Sequence, residues 1–223
     1  MKEVQRLSNK GLVALVLVSL LALSGPVFAA KKSAPESSPA DDSAKIIGAG
    51  SKGVGFGYLS GRQGSVPTIS GDLWTSDAFA LELMFGMATY SEMLGGTGTD
   101  GKPVNDAVSS FGASVGSRQV FAQHGTGLLF EAIERLSYVN ESFGLTTAGK
   151  ANSTSIGTIG VFGGFGVEAA FPFWQNVAIE INTGLNYLIS NTTTTGSSAS
   201  ESALFIGGSA NRMPFNFAIH YYF

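Results

Sequence analysis

Apolar residues recur at every second position over several long segments of the chain. In 79–87 the odd-numbered residues are large and apolar, while Glu82 and Gly86 lie between them. In 159–171 and 177–189 most odd-numbered residues are likewise apolar. A period of two residues is typical of β-strands whose two faces meet different surroundings. The pattern therefore predicts an all-β fold built from long strands.

Strand length separates the two all-β folds that such alternation allows, a soluble sandwich and a membrane barrel. The three clearest segments run for about 9 to 13 residues. Strands of soluble proteins average about five to six residues, whereas a tilted strand that crosses a bilayer needs about 9 to 11. The lengths favour a barrel, with eight strands predicted near 52–60, 66–74, 78–90, 108–123, 127–140, 155–173, 177–190 and 204–223.

The links between these strands alternate in length. Short links separate some pairs, and long links rich in Gly, Ser, Thr and Asn separate the others. Outer-membrane barrels alternate short periplasmic turns with longer outer loops in this way. We therefore predict an eight-stranded antiparallel transmembrane β-barrel with up-and-down meander order. The short links are 75–77, 124–126 and 174–176, and the long links are 90–107, 140–154 and 190–203.

The N-terminal residues predict export from the cytoplasm. Basic residues precede an apolar segment at 11–23, and small residues follow it up to Ala29, as in a cleaved signal peptide. A membrane anchor is the alternative, but the apolar segment is short for a span. We predict a signal peptide at 1–29, a flexible periplasmic leader rich in Ser, Pro and charged residues at 30–45, and the barrel at 46–223.

The last predicted strand ends on an aromatic and apolar face formed by Phe217, Ile219, Tyr221 and the terminal Phe223. This face resembles the closing strand of bacterial outer-membrane barrels, which the barrel-assembly machinery recognises. With the export signal and eight strands, the chain resembles the OmpA/OmpX-like family of small outer-membrane barrels. The resemblance implies a place in the outer membrane of a Gram-negative bacterium, with membrane lipid and the assembly machinery as partners. It brings no catalytic residues.

Charged side chains face the lumen if the odd-numbered positions face outward. An eight-stranded barrel is narrow enough to be filled by its own side chains, and an unpaired buried charge costs several kcal/mol. We therefore predict a lumen network of paired charges. Its members are Glu82, Arg118, Glu168, Glu180 and His220, and Glu131 and Arg135 join them if strand five has the opposite phase.

Two functions are compatible with such a network. In the first, the network plugs a structural barrel whose outer loops meet a surface partner of unknown identity. In the second, the network gates a narrow, porin-like pore for ions or water. The sequence leaves both open. A lipid A-modifying enzyme is a distant third, because His124 lies in a predicted turn and His220 lies near the periplasmic end, and we predict no enzyme activity.

Composition excludes several other classes of function. The chain has no cysteine, which removes disulfides, thiol nucleophiles and cysteine zinc sites. The formal net charge of −3 gives no reason to expect a nucleic-acid partner. No His, Asp and Glu residues show metal-ligand spacing, so we predict neither a metal nor a cofactor.

Some segments fit the strand pattern poorly. In 128–139, Glu134 shares the phase of the apolar residues, so a bulge is one interpretation and an amphipathic helix is another. Pro214 lacks a backbone donor and predicts a bulge or bend in the last strand.

Aromatic residues near strand ends, such as Tyr58, Trp74 and Trp174, predict girdles at the membrane interfaces.

Overall fold

The structure is a computed structural model whose described residues form an all-β fold. The predicted signal peptide at 1–29 and the leader at 30–45 lie outside the described residues. Among the residues that are described, no helix is long and apolar enough to cross a membrane. The described residues are 47–62, 65–97, 103–125, 127–147, 150–171, 173–174, 176–194, 197–208 and 214–223.

The strands form one antiparallel sheet that closes on itself as a meander. Each strand from β1 to β7 pairs with the next, and β9 pairs with both β7 and β1. Because β8 and β9 share one position in the ring, the predicted eight-stranded up-and-down barrel is confirmed. The strands are β1 (Lys52–Ser60), β2 (Ser65–Ser76), β3 (Phe79–Thr97), β4 (Pro103–His124), β5 (Leu128–Thr147), β6 (Lys150–Ala170), β7 (Val177–Thr194), β8 (Ser197–Gly207) and β9 (Asn216–Tyr222).

The eighth position of the barrel is interrupted. The strand β7 pairs with β8 from Gly184 onward and with β9 up to Asn182. The chain leaves the wall at Gly207, whose φ of 148° favours glycine. A Cβ added to Gly208 would lie 2.0 Å from the backbone nitrogen of Asn216, so the two ends of the interruption are in direct contact. Pro214 lies within it, where the sequence predicted a bulge or bend.

The predicted long links are mostly strand, so those loop boundaries were wrong. The β3–β4 ladder continues from Tyr90 opposite Val108 to Thr97 opposite Pro103. The β5–β6 ladder likewise reaches Thr147, and the β7–β8 ladder reaches Thr194. Serine and threonine are common in loops, but threonine is also a good strand residue, and an adjacent hairpin partner satisfies its backbone groups.

The segment 128–139 lies within the regular strand β5, so the helical interpretation was wrong. Its odd-numbered residues face the lumen, and most of them, such as Ile133 and Arg135, are buried. The bulge lies on the neighbouring strand β4, between Val120 and Ala122, and it changes which residues of the two strands are opposite each other. The phase of β5 is therefore opposite to that of β6 and β7.

The two faces of the wall have inverted polarity compared with a soluble barrel. Many outward side chains are large, apolar and exposed, as for Phe56 at 62%, Leu83 at 64% and Phe165 at 66%. Inward positions carry most of the buried charged groups. Trp74 is 1% exposed inside the barrel, so its predicted place in an interfacial girdle was wrong. The lumen is therefore a polar interior whose groups need partners.

Glycine at position 86 is required by the close approach of β2 and β3. A Cβ there would lie 2.0 Å from the carbonyl oxygen of Pro67, whereas a Cβ at the outward Gly71 would meet no atom within 4 Å. We expect Gly86→Ala to lower the free energy of unfolding by about 1–3 kcal/mol, measured by urea titration. The control Gly71→Ala should stay within about 0.5 kcal/mol of wild type. Equal effects of the two substitutions would contradict this packing.

Candidate functional site

Arg118 on β4 is the centre of a charged cluster inside the barrel, and its side chain is fully buried. Its Nε and Nη2 donate to Oε2 of Glu131 at 2.9 and 2.7 Å. The same Nη2 donates to Glu168 on β6, and the guanidinium lies 5.7 Å from the ring centre of Trp74. Two hydrogen-bonded carboxylates and an aromatic face thus contact this buried cation.

Arg135 on β5 is the second buried cation of the cluster. Its Nη2 donates to Oε1 of Glu82 at 3.0 Å, and its Nε donates to the other oxygen of the same carboxylate. Nη2 also donates to Oε1 of Glu180 at 3.1 Å. The two bonds to Glu82 form a bidentate pair, which fixes the orientation of both side chains.

Glu180 on β7 joins the two halves of the cluster. Its Oε2 lies 3.4 Å from Nη2 of Arg118, and its Oε1 accepts from Arg135. Oε2 is also 3.2 Å from Nε2 of His220, and Asn182 donates its side-chain amide to Oε1. One carboxylate therefore contacts both guanidinium groups and the imidazole, so its removal would separate the cluster into two parts.

The C-terminal strand β9 contributes two inward side chains. Nδ1 of His220 lies 2.6 Å from Oδ2 of Asp72 on β2. The hydroxyl of Tyr222 donates to Oε1 of Glu168 at 2.7 Å, and Nη1 of Arg118 donates to that hydroxyl at 3.3 Å. The backbone ladders join β9 to β1 and β7, and the side chains of the cluster connect it with β2, β4 and β6 as well.

The structure places the five predicted members of the lumen network inside the barrel and brings them into one cluster. Glu131 and Arg135 belong to it because β5 has the opposite phase. Asp72 and Tyr222 were missed as members. Asp72 alternates with the outward Gly71 and Leu73, so parity alone could have found it. Tyr222 shares the parity of the inward His220, but its contact with Glu168 has no signal in the sequence.

Two groups of buried apolar side chains, called the apolar layers, lie on either side of the charged cluster along the barrel axis. The inward order along β2 is Trp74, Asp72, Ser70, Thr68 and Val66, so two buried polar side chains lie between the charges and Val66. The inward order along β3 is Ala80, Glu82 and Met84. Buried apolar side chains thus lie on both sides of the charges. The layer at the C-terminal end of β9 contains Ile47, Trp74, Ala80, Leu129, Ala178 and Tyr222, and the opposite layer contains Leu59, Val66, Met84 and Val139.

The space left beside the cluster is small. A cavity of about 20 Å³ lies next to Arg135 and is also lined by Asn186 and Leu188. This volume suffices for about one water molecule. Within the described part of the chain, no three His, Asp or Glu residues are arranged to hold a metal ion. The arrangement can hold strands together, but this cavity has no room for a substrate.

Arg62 connects the short β1–β2 hairpin with the strands β5, β7 and β8. Its backbone N–H donates to Oε2 of the buried Glu141 at 2.9 Å, and its Nη1 donates to Thr192 at 3.0 Å. Its guanidinium also forms an ion pair with Glu201 on β8. A cavity of about 300 Å³ lies beside this contact and is lined in part by Leu204. This end of the barrel therefore has its own polar layer.

Comparisons with known proteins add no family to this geometry. The sequence matches no protein-family model, and no curated protein matches it.

Loss of Arg118 should be far more damaging than loss of a charge at the rim. Arg118→Met leaves Glu131 and Glu168 without their shared cation, so we expect the free energy of unfolding to fall by about 3–5 kcal/mol in a urea titration. Addition of Glu168→Gln should recover part of the loss because it removes one uncompensated charge. The control Glu201→Gln removes a half-exposed ion pair and should cost no more than about 1 kcal/mol. An Arg118→Met effect as small as that of the control would contradict this account of the cluster.

Proposed function

We propose that the protein is a bacterial outer-membrane barrel of the OmpA/OmpX-like kind, with a plugged lumen and a structural and surface-interaction role. The observation that carries this proposal is the inverted polarity of the wall. Paired charges fill the inside, and exposed apolar side chains cover the outside. A wall of this kind suits hydrocarbon chains, whereas in water it would be an extensive aggregation surface.

The C-terminal strand supports the same proposal. Its outward residues are about half exposed or more, with Phe217 at 55% and Phe223 at 67%. Its inward residues His220 and Tyr222 are members of the charged cluster. The strand is thus suited to present an apolar face during assembly while its other face enters the lumen. A signal peptide over 1–29 would bring the chain to the periplasm, where the assembly machinery acts.

The enclosed cluster favours a plug over a pore. Ions cross narrow pores where polar groups replace their hydration shell along the path. Here the charged layer is bounded by buried apolar side chains on both sides, and its cations already have carboxylate partners. Passage would require both apolar layers and the ion pairs to rearrange. The surface interaction would then belong to the outer hairpins, with a partner of unknown identity.

Single-channel recording of the refolded mature chain decides between plug and pore. We expect no discrete conductance steps from wild type or from Glu82→Ala, because the apolar layers remain in place in both. Folding and insertion are checked by the shift in gel mobility on boiling, which folded barrels show. Discrete steps that Glu82→Ala alters, while the rim control Glu201→Gln leaves them unchanged, would make the narrow pore the preferred function.

Assembly through the last strand gives a separate test in cells. Deletion of Phe223 should lower the amount of folded barrel in the outer-membrane fraction several-fold, since it removes the terminal aromatic residue from the outward face. The matched control is Phe173→Ala, which changes an aromatic side chain that is 92% exposed in the link between β6 and β7. Equal amounts of folded barrel for both variants would contradict a role of the C-terminal face in assembly.

A further inference from the structure

The chain crosses one end of the barrel before it enters the wall. Residues 47–51, called the entry turn, lie directly before β1. The backbone N–H of Ser51 donates to the carbonyl of Gly48 at 2.9 Å, and the N–H of Gly48 donates to Oγ of Ser51 at 3.2 Å. Gly50 has a φ of 86°, which is typical of the third residue of a type II turn and favours glycine. The entry turn is therefore a closed local structure.

Backbone hydrogen bonds hold the entry turn against β2. The N–H of Gly50 donates to the carbonyl of Trp74 at 2.9 Å, and the N–H of Trp74 donates to the carbonyl of Ser51 at 3.0 Å. The N–H of Ala49 donates to Oδ1 of Asp77, in the link between β2 and β3, at 3.0 Å. These bonds place the turn beside the end of the lumen.

Ile47 puts its side chain into that end of the lumen. It is 4% exposed and belongs to the apolar layer at the C-terminal end of β9, where it is the only described member that does not come from a strand. Two of the strand members, Ala80 and Ala178, have side chains too small to fill the opening, yet both are completely buried. Ile47 thus closes part of the opening that the strands leave.

The charged cluster begins directly behind this layer. On each of the five strands that contribute to the layer, the residue two positions further into the lumen belongs to the cluster. A single layer of side chains therefore separates the charges from water at this end, and Ile47 is the part of it that lies outside the wall. The five cluster residues are Asp72 on β2, Glu82 on β3, Glu131 on β5, Glu180 on β7 and His220 on β9.

The entry turn can leave the lumen without breaking the wall. Strands of the closed ring are held by ladders on both sides, whereas the entry turn is held by its bonds to Trp74 and Asp77 and by the packing of Ile47. Ala49 and Gly50 are exposed. Segments with few buried contacts open more readily than the elements to which they are attached.

We propose that the entry turn is a lid on this end of the barrel, with Ile47 as its stopper. The closed lid keeps water away from the charged cluster, and the open lid lets water reach the cluster from one side only, because the opposite apolar layer stays in place. The inference rests on the proposed function in one respect, since in an outer-membrane barrel this end faces the periplasm. The lid itself follows from the fold.

Labelling of an introduced thiol tests the lid, because the chain has no cysteine. Ala178→Cys puts a thiol in the layer that Ile47 covers, and Val139→Cys puts one in the opposite layer, at positions that are both 0% exposed. The probe is a small cationic methanethiosulfonate, added to protein refolded in detergent micelles, which leave both ends of the barrel in contact with water. With Ile47→Gly we expect the labelling rate to rise about tenfold or more for Ala178→Cys and to stay within about twofold for Val139→Cys.

A conservative variant separates the stopper from a general loosening of the barrel. Ile47→Val keeps most of the apolar volume and should leave the labelling rate of Ala178→Cys nearly unchanged. Ala80→Cys on β3 repeats the measurement at a second position of the same layer, so the test does not depend on the folding of one variant. The shift in gel mobility on boiling checks that each variant is folded.

A labelling rate at Ala178→Cys and Ala80→Cys that Ile47→Gly leaves unchanged would overturn the lid. An equal acceleration at Val139→Cys would also overturn it, because the substitution would then loosen the whole barrel. So would an equal acceleration by Ile47→Val, because the size of the stopper would then be irrelevant. Folded protein that does not insert into lipid vesicles would contradict the proposed function and leave the lid intact, since the labelling is done in micelles.

Discussion

The narrow lumen of a closed eight-stranded barrel is the constraint on which the other features depend. Each inward position must either be small or have a partner across the lumen. Gly55 shows the first case, because an added Cβ would lie 2.4 Å from Oγ of Ser70 and 2.8 Å from Nδ1 of His220. The imidazole can reach Asp72 only because this space is left open. Glycines and charges on the inward faces are therefore two parts of one packing solution.

The charged cluster also fixes the register of the wall. Backbone ladders connect only neighbouring strands, whereas Glu180 on β7 contacts Arg118 on β4 and Arg135 on β5 across the lumen. A slip of one residue in any of these strands would turn its charge toward the apolar outside. The cost of an unpaired charge thus acts against incorrect registers. The cluster defines a unique barrel, even though a buried ion pair by itself is a weak source of stability.

The sequence predicted the strands and most of the cluster because both depend on parity. It predicted the barrel order and five inward side chains, but not the phase of β5, because that phase follows from a bulge at Val120 on another strand. Nor did it predict that 90–107 is mostly strand, since pairing within a hairpin decides this and composition does not. Contacts across the lumen, such as that of Tyr222 with Glu168, depend on the closed ring and have no local signal.

In the proposed function a closed lumen leaves recognition to the outer surfaces, and the rim of the barrel is uneven there. The β1–β2 hairpin ends at Ser60 and Ser65, while the hairpins of the other strands extend further. Within the described residues β8 pairs only with β7, and its residues from Ser197 to Leu204 are exposed on both faces. Free strand edges invite pairing with other chains, and charged side chains limit it. Glu201, held by Arg62, supplies such a charge, so a chain that paired with this edge would have to break an existing ion pair.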